Sequence, residues 1–234
     1  AAVLERMRTE ADAIAPVARA VEVLPLEGAL TVGGVPAAAL AEPAEQGASA
    51  RMVFAWQLMD VDPCDELDLS DATVVLDEAC RAGDAERTRS LVQRAGRVVC
   101  RNLGQVAMAR ELGVVFDVAA PVFCANRATL AWLRGLGAGR VYVSAELLGN
   151  DAERVAGLVA ESGVHGPVDA DRPELMVCEH CLLTAEGTCA TDATGRVHCR
   201  DCQRRRLTRY LVERDGTRLP VAIDACGRTR IFLS

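Results

Sequence analysis

Short apolar stretches, rich in β-branched residues, recur along the chain from residue 51 onward. They lie at residues 52–58, 73–76, 97–100, 114–118, 141–143 and 174–177. Because apolar and polar residues do not alternate within them, they are typical of strands that are buried on both faces of a sheet. The pattern predicts about six strands of one parallel sheet.

The residues between the later stretches have the spacing of amphipathic helices. Residues 85–95 form one predicted helix. Asn126 and Asn150 can cap two further helices, and in the first of these Leu130 and Leu133 share an apolar face. Strands that alternate with helices at intervals of roughly 25–35 residues indicate βαβ units.

The predicted fold class is therefore α/β. A complete (β/α)₈ barrel needs about eight strands, so we predict a partial (β/α) TIM-barrel-like parallel sheet, with an open parallel sheet as the alternative. Before it, residues 1–13 are predicted as a helix, 20–26 as a short strand and 33–50 as a linker. The predicted organisation is an N-terminal segment and linker at 1–50, a partial barrel domain at 51–177 and a small Cys-rich module at 178–234.

Charge is unevenly distributed along the chain. The formal net charge is −7 at pH 7, whereas residues 178–234 contain ten Arg against seven Asp or Glu and so carry +3. The body of the chain thus argues against general polyanion binding, which stays open for the tail. No apolar run reaches the ~20 residues of a membrane span and no secretory signal is visible, so we expect a cytoplasmic protein without a membrane segment. Because the first residue is Ala, we interpret the chain as a fragment.

The ten cysteines fall into two classes. Four are scattered through apolar surroundings, where we expect small core residues: Cys64, Cys80, Cys100 and Cys124. Six lie in the last 57 residues: Cys178, Cys181, Cys189, Cys199, Cys202 and Cys226. A secreted disulfide scaffold is one interpretation, but such scaffolds are usually short chains that are dense in cysteine throughout.

Two CxxC pairs, Cys178 with Cys181 and Cys199 with Cys202, are separated by seventeen residues. The two-residue gap lets both sulfurs of one turn face the same centre, and two such turns can surround it. The spacing therefore predicts a four-thiolate metal site. Cys189 lies between the pairs, and this additional sulfur favours an iron–sulfur cluster over zinc because cluster ligand spacings vary more. Six unliganded cysteines are the remaining alternative.

A longer part of the chain resembles the collagenase-like peptidases, the peptidase U32 family. The segments that carry the resemblance are 101–104, Asn126, 136–147 (LGAGRVYVSAEL), 174–181, 186–189, 195–196, 215–220 and 224–228. Phe123 departs from the family pattern, which commonly has Asn there. The resemblance covers roughly residues 97–234, more than half of the chain.

The resemblance implies an incomplete barrel followed by a module that binds a [4Fe–4S] cluster. It implies four ligands, Cys181, Cys189, Cys199 and Cys202, and leaves Cys178 as a further candidate at a place where relatives need no thiol. Family members are labelled peptidases, and better-understood relatives look like iron–sulfur proteins of oxygen-independent hydroxylation of tRNA or rRNA bases or quinone precursors. The missing start of the barrel would come from the same polypeptide or from another protein subunit.

Six polar residues fall at or just after predicted strand ends: Asn102, Asn126, Ser144, Glu146, Glu179 and His180. Because chemistry in a barrel gathers at the carboxyl ends of the strands, we predict one shared pocket around the cluster. The catalytic candidates are Asn126, Glu146, Glu179 and His180. A helix cap is the alternative for Asn126, and a loop or solvent-facing role is the alternative for the others.

An Arg run, Arg204–Arg206 with Arg200 and Arg209, lies on a predicted helix after the last CxxC pair. Contacts with RNA phosphates are one hypothesis, and a solvated helix face is the other.

Two functions stay open from the sequence. The first is an iron–sulfur enzyme that modifies RNA bases or small aromatic substrates, although the family label says peptidase. Hydrolysis has no support of its own, because neither an HExxH helix nor a GxSxG elbow is present. The second is a non-catalytic zinc module that mediates contacts with RNA or protein.

Overall fold

The computed structural model describes residues 21–24, 31–32, 35–36, 51–59, 67–144, 147, 152–165, 168, 173–187, 189 and 198–233. Three short strands precede residue 51: β1 (Val21–Leu24), β2 (Thr31–Val32) and β3 (Val35–Pro36). β2 and β3 pair with each other, and β1 joins a sheet formed by the C-terminal part of the chain. Among the described helices, none is both long and apolar enough to cross a membrane.

A parallel sheet of six strands forms the centre of the molecule. Its strands are β4 (Arg51–Phe54), β5 (Ala72–Val75), β6 (Arg97–Cys100), β7 (Phe116–Val118), β8 (Val141–Val143) and β9 (Gly163–His165). Their spatial order is the order in the chain, and every neighbouring pair is parallel. Within the described residues β4 and β9 each have one parallel neighbour, so the sheet does not close into a barrel.

The helices between these strands are α1 (Ala55–Leu58), α2 (Ala85–Arg94), α3 (Leu103–Leu112), α4 (Arg127–Gly135) and α5 (Ala152–Ser162). Because parallel crossovers are almost always right-handed, a sequential strand order places successive helices on one face of the sheet. The main apolar core lies between sheet and helices, where Val74 and Val98 of the strands pack with Leu91 and Leu133 of the helices. A smaller apolar cluster contains Val75, Val99 and Tyr142, strand residues that alternate with those of the main core and so face the other side of the sheet.

The C-terminal part forms a second, antiparallel sheet. Its strands are β10 (Glu174–Cys178), β11 (Thr208–Val212), β12 (Arg218–Ile223) and β13 (Thr229–Phe232), and the order is β1-β11-β12-β13-β10. Its apolar core is small and consists of Leu183, Leu211, Val221, Ile223 and Ile231. A five-residue core contributes little hydrophobic stabilisation, so other interactions have to hold this sheet.

The α/β class and the parallel sheet are confirmed, and several elements lie at their predicted positions. The strands at 73–76, 97–100 and 141–143 agree with β5, β6 and β8 to within one residue. The helices at 85–95 and after Asn126 correspond to α2 and α4. Asn150, the predicted cap of α5, lies outside the described residues.

Two predicted strands are shorter than expected. The stretch 52–58 is a strand only as far as Phe54, because the four buried residues that follow, Ala-Trp-Gln-Leu, lack β-branching and form the helical turn α1. Residues 114–118 yield a strand only from Phe116. Gly113 ends α3 in the left-handed conformation, and the N–H of Val114 still donates to the Ala109 carbonyl, 3.0 Å away, as part of the helix end.

The sixth parallel strand is not the predicted one. Residues 174–177 belong to β10, which pairs antiparallel with β13 in the C-terminal sheet. The sixth parallel strand is β9, which pairs with β8 and begins with a glycine. The helix α3 is not among the predicted ones, although Asn102 and Gly113 at its two ends are ordinary cap signals.

The predicted strand at 20–26 is confirmed as β1. The predicted helix at 1–13 lies outside the described residues, as does most of the predicted linker at 33–50 apart from β3. The predicted helix carrying the Arg run is wrong. A 3₁₀ turn at Gln203–Arg206 leads directly into β11, whose β-branched and aromatic residues favour a strand.

Candidate metal centre

Short turns carry three of the predicted ligand cysteines. Cys181 follows β10 and immediately precedes a 3₁₀ helix at Leu182–Glu186. Cys199 begins a second 3₁₀ segment that ends before Cys202, and the Cys202 N–H donates to the Cys199 carbonyl at 3.1 Å. The Thr184 N–H donates in the same way to the Cys181 carbonyl, also at 3.1 Å. Each turn is therefore closed by its own backbone hydrogen bond, which restricts the direction of the sulfurs.

The predicted ligand thiols of Cys181, Cys189 and Cys202 are neighbours of the Cys199 thiol. Burial raises the pKa of the Cys199 thiol, and the neighbouring thiols of Cys181, Cys189 and Cys202 raise it further. The pKa of Cys181 is raised by burial and then by Cys189 and Cys202, although nearby backbone N–H groups oppose the shift. Neighbouring thiols resist being charged together unless a cation compensates for their negative charge.

Every cysteine that the structure describes is a free thiol. At the same time, no group of three or more described His, Cys, Asp or Glu side chains has the arrangement of ligands around one metal ion. The four thiols are thus neighbours without forming a finished single-ion site. Free, partly buried thiols in separate turns are donors suited to iron–sulfur or zinc centres.

The other cysteines have different surroundings. The Cys178 sulfur accepts the N–H of His180 at 3.4 Å, and the Cys226 sulfur lies 3.5 Å from that of Met59. Cys100 and Cys124 are core residues as predicted, whereas Cys80 is exposed and that prediction is wrong. Cys64 lies outside the described residues.

The Arg run holds the backbone of the cysteine turns. The Arg205 guanidinium donates to the carbonyls of Cys199 and Arg200, both at 2.9 Å, and Arg204 donates to the Leu183 carbonyl at 3.5 Å. Arg209 is buried and donates to the carbonyls of Arg204 and Leu207. These arginines hydrogen-bond to the backbone of the cysteine turns, and their contact with RNA phosphates stays a prediction.

A buried ion-pair network joins the C-terminal antiparallel sheet, the cysteine-bearing sheet, to the carboxyl ends of β5 and β6. Arg230 of β13 is fully buried and reaches four carboxylates: Glu174 at 2.8 Å, Glu78 at 3.1 Å, Asp224 at 3.2 Å and Asp77 at 3.5 Å. The ring of Trp56 lies under its guanidinium, 5.1 Å from ring centroid to guanidinium carbon. Arg101, just after β6, pairs with Glu78 and Glu174 as well.

Arg228 forms the second half of this network. Its guanidinium lies 3.0 Å from Glu179, 3.4 Å from Asp84 and 3.7 Å from Asp77. Glu179 also pairs with Arg81. The carboxyl ends of the parallel strands, the predicted location of a pocket, are therefore occupied here by contacts between the two sheets.

Within this network Asp77 is the carboxyl group with the weakest ion pairs. Burial raises its pKa to about 6, with Glu78 adding to the rise while Arg230, Arg87 and Arg228 oppose it. The pKa of Glu78 is lowered instead: burial opposes the change, but Arg230, a backbone hydrogen bond and Arg101 together outweigh it. Arg230 thus lowers the pKa of both adjacent acids, but burial outweighs the arginines at Asp77 and does not at Glu78.

Two predicted polar site residues cap helices. The Asn102 side chain accepts the N–H of Gln105 at 2.9 Å at the start of α3, and its amide donates to the Glu78 carbonyl at 3.3 Å. Asn126 accepts the N–H of Thr129 at 2.9 Å at the start of α4 and is exposed. The cap predicted as the alternative for Asn126 is thus present, and its catalytic role stays a prediction.

The remaining candidates lie in different surroundings. Glu179 and His180 are exposed, and the His180 carbonyl accepts a hydrogen bond from the Thr229 hydroxyl at 2.7 Å. Ser144 is buried after β8, and its N–H donates to the Cys124 carbonyl. Glu146 lies outside the described residues. Of the four catalytic candidates, Glu179 and His180 are those next to a clustered thiol in the sequence.

Sequence reasoning missed Arg228, Arg230 and Asp77. A signal was present in the Arg-Thr-Arg-Ile-Phe stretch at 228–232, which combines β-branched and aromatic residues with two cations. Alternation of this kind normally indicates a half-exposed strand with its charges in solvent. The acids that pair with these buried cations come from distant parts of the chain, and no local sequence pattern reveals them.

Comparison with known proteins does not assign a family or a function to the chain. No protein-family model, curated protein or solved structure matches the chain. Membership of the peptidase U32 family therefore stays a proposal that depends on motifs such as those at 136–147 and 174–181.

Proposed function

We propose that the chain holds a [4Fe–4S] cluster through Cys181, Cys189, Cys199 and Cys202, and that it is an iron–sulfur enzyme related to the peptidase U32 family. Its substrate would be RNA bases or a small aromatic compound. The observation that carries the proposal is that the free thiols of Cys181, Cys189 and Cys202, which come from different parts of the C-terminal chain, are neighbours of the free Cys199 thiol.

The donor chemistry fits a thiolate-held centre. All four sulfurs belong to partly buried residues, which limits solvent access without isolating them. The rise in the pKa of Cys181 and Cys199 means that the thiolate forms need a compensating positive charge, and bound iron supplies one. When bound, a cluster supplies one-electron chemistry.

The chain's own residues would position and shield the centre. Arg204 and Arg205 hold carbonyls of the cysteine turns, and the arginines of β13 and the turn before it fix the cysteine-bearing sheet against the ends of β5 and β6. A partial barrel followed by a small Cys-rich metal module is the architecture that this proposal assigns. Exposed Glu179 and His180, next to Cys181, are the candidate proton-transfer groups.

Anaerobic purification followed by metal analysis and visible spectroscopy tests the cluster. We expect a brown protein with about four iron atoms per chain. Replacing Cys181, Cys189, Cys199 or Cys202 individually with Ser should lower the iron content strongly, whereas the exposed Cys80→Ser variant should retain it. The Cys178→Ser variant tests the fifth thiol, and we expect it to keep the cluster. A wild-type protein that takes up no iron contradicts the proposal.

A second candidate function is a zinc module without catalysis, and the two CxxC turns favour it. A colourless protein with one zinc ion per chain would support this function. For the enzyme, RNA is incubated anaerobically with the iron-loaded protein and an added oxygen-atom donor, which gives up its oxygen and is reduced by two electrons as C–H becomes C–OH. Nucleoside mass spectrometry should then show a gain of one oxygen atom in the RNA. Cleavage of a peptide substrate by the same preparation, with RNA unchanged, would favour the family's peptidase label.

A further inference from the structure

The turn between β12 and β13 contacts both cysteine-bearing segments. Gly227 lies in this turn with a φ of +80°, where an L side chain is strained. A Cβ placed on Gly227 would lie 2.7 Å from the Cys199 sulfur and 4.0 Å from the Cys181 Cβ. Since 2.7 Å is far inside van der Waals contact, the space that holds the Cys199 sulfur exists only because residue 227 has no side chain.

Thr229, two residues further on, holds the turn around Cys181. Its hydroxyl donates to the His180 carbonyl at 2.7 Å and accepts the Leu182 N–H at 3.1 Å, so it bridges the two neighbours of Cys181. Thr229 is 1% exposed, which keeps water from replacing either bond. One side chain thereby fixes the backbone from which the Cys181 sulfur projects.

The turn itself is held by several hydrogen bonds. The Asp224 carboxylate accepts the N–H groups of Cys226 and Arg228, both at 2.9 Å, and the Gly227 N–H donates to the Asp224 carbonyl at 2.9 Å. The second carboxylate oxygen of Asp224 pairs with Arg230. The turn is therefore defined by its own contacts, and it presents a fixed surface to both cysteines.

We propose that this turn is the platform that positions Cys181 and Cys199 for the cluster, with Gly227 and Thr229 as its positioning residues. The inference rests on the proposed cluster and deepens it. Gly227 provides room for one sulfur, and Thr229 fixes the loop of the other. Gly227 and Thr229 act on cysteines of different CxxC pairs, so the turn determines the distance between the Cys181 and Cys199 segments.

The preceding hairpin supplies a matched control. Gly216 also has a positive φ, +89°, in the turn between β11 and β12, but nothing lies within 4 Å of the position that a Cβ would take there. Gly216→Ala therefore introduces the same kind of backbone strain as Gly227→Ala without approaching a sulfur. Thr229→Ser keeps the bridging hydroxyl that Thr229→Val removes, and this pair separates the hydroxyl from the packing of the side chain.

The experiment is anaerobic reconstitution of the full chain with ferrous iron and sulfide, followed by iron analysis and electron paramagnetic resonance of the reduced protein. We expect Gly227→Ala to lose more than half of the iron or to change the resonance spectrum, while Gly216→Ala matches wild type. Thr229→Val should bind less iron and Thr229→Ser should recover it. Circular dichroism of each apoprotein identifies variants that fail to fold.

The outcomes separate the two proposals. Iron content and spectrum of wild type in both Gly227→Ala and Thr229→Val would overturn the platform while leaving the cluster in place. A Gly227→Ala variant that does not fold leaves the Thr229 pair to decide: equal loss of iron in Thr229→Val and Thr229→Ser also overturns it. Wild-type protein that binds no iron would refute the cluster and this inference together.

Discussion

The two sheets of this molecule are stabilised in different ways. The parallel sheet buries valines on the helix side and forms a continuous core with residues such as Val53, Val98 and Leu158. The antiparallel sheet has a core of five apolar residues, and the largest fully buried side chains of the described chain are two arginines of this part, Arg228 and Arg230. The first sheet depends on apolar burial, whereas the second depends on ion pairs and, on our proposal, a thiolate-bound centre.

The largest difference between the sheets should follow removal of the metal. We expect an iron chelator, added anaerobically to the loaded protein, to accelerate amide exchange in β11, β12 and β13 by at least roughly tenfold, since metal binding and folding are coupled where the apolar core is small. Amides of β5, β6 and β7 should be unaffected. Hydrogen exchange read by mass spectrometry measures both regions in one sample.

A Cys199→Ser variant is the control for the chelator. It lacks a ligand from the start, so its C-terminal sheet should already exchange fast and should not respond further to chelation. If the loaded wild-type protein loses its iron and β11–β13 exchange as before, the C-terminal sheet does not need the centre, and the contrast with the parallel sheet is wrong.

The next effect concerns the buried ion pairs. Replacing Arg230 with Met leaves the fully buried Asp224 carboxylate without this cation, while Glu78 and Glu174 keep their pairs with Arg101. We expect the free energy of unfolding to fall by about 3–5 kcal/mol. Arg89→Met is the surface control, because its pair with Glu111 is exposed to solvent and exposed pairs contribute little to stability. Urea denaturation measures both; equal losses would show that burial does not matter here.

A smaller effect concerns the pH dependence of stability, which should have opposite signs for Asp77 and Glu78. Asp77 has a raised pKa of about 6 when folded, so its stabilising contribution is present below its ordinary pKa of 3.8 and is lost as pH rises through about 6. At pH 8 we therefore expect Asp77→Asn to be more stable than wild type by about 3 kcal/mol, since each pH unit between 3.8 and about 6 corresponds to about 1.4 kcal/mol. Urea denaturation at a series of pH values from below 3.8 to above 6 should show this advantage of Asp77→Asn disappearing toward the acid side.

Glu78 provides the contrast, since its folded pKa is lowered. Its contribution is present above its ordinary pKa of 4.5 and is lost as pH falls through the lower folded value. Glu78→Gln should thus destabilise the protein at neutral pH and matter less in acid. If Asp77→Asn and Glu78→Gln shift stability in the same direction at neutral pH and above, the opposite pKa shifts of the two acids do not determine their contributions to stability.

The same contrast explains how much of the fold the sequence predicts. β5, β6 and β8 are continuous apolar runs because both of their faces are covered, and their patterns therefore locate them closely. β9 is three residues long and begins with Gly, so no pattern indicates it. The stretch at 174–178 has the pattern of one more strand of the same kind, and only its pairing with β13 shows that it belongs to the other sheet.

Some residues of the candidate site can likewise be predicted from local sequence patterns, and others cannot. Spacing alone predicts the two CxxC pairs, Cys178 with Cys181 and Cys199 with Cys202, because ligand geometry imposes short local repeats. The choice of Cys189 in place of Cys178 comes from the family resemblance. The contribution of Arg230 depends on acids that lie far away in the chain, and the space at Gly227 depends on a cysteine from another turn. Tertiary packing creates both features, so neither leaves a periodic trace in the sequence.

The smallest predicted effects separate two helix caps of the parallel sheet. The exposed side chain of Asn126 accepts the Thr129 N–H, and Asn126→Ala should lower the free energy of unfolding by about 1 kcal/mol. Asn102 caps α3 and also donates to the Glu78 carbonyl, so Asn102→Ala should cost about 2 kcal/mol. Asn126→Asp keeps the cap acceptor and should match wild type in urea denaturation. Because Asn126 is also a catalytic candidate, loss of activity in Asn126→Asp at unchanged stability would show a role beyond the cap.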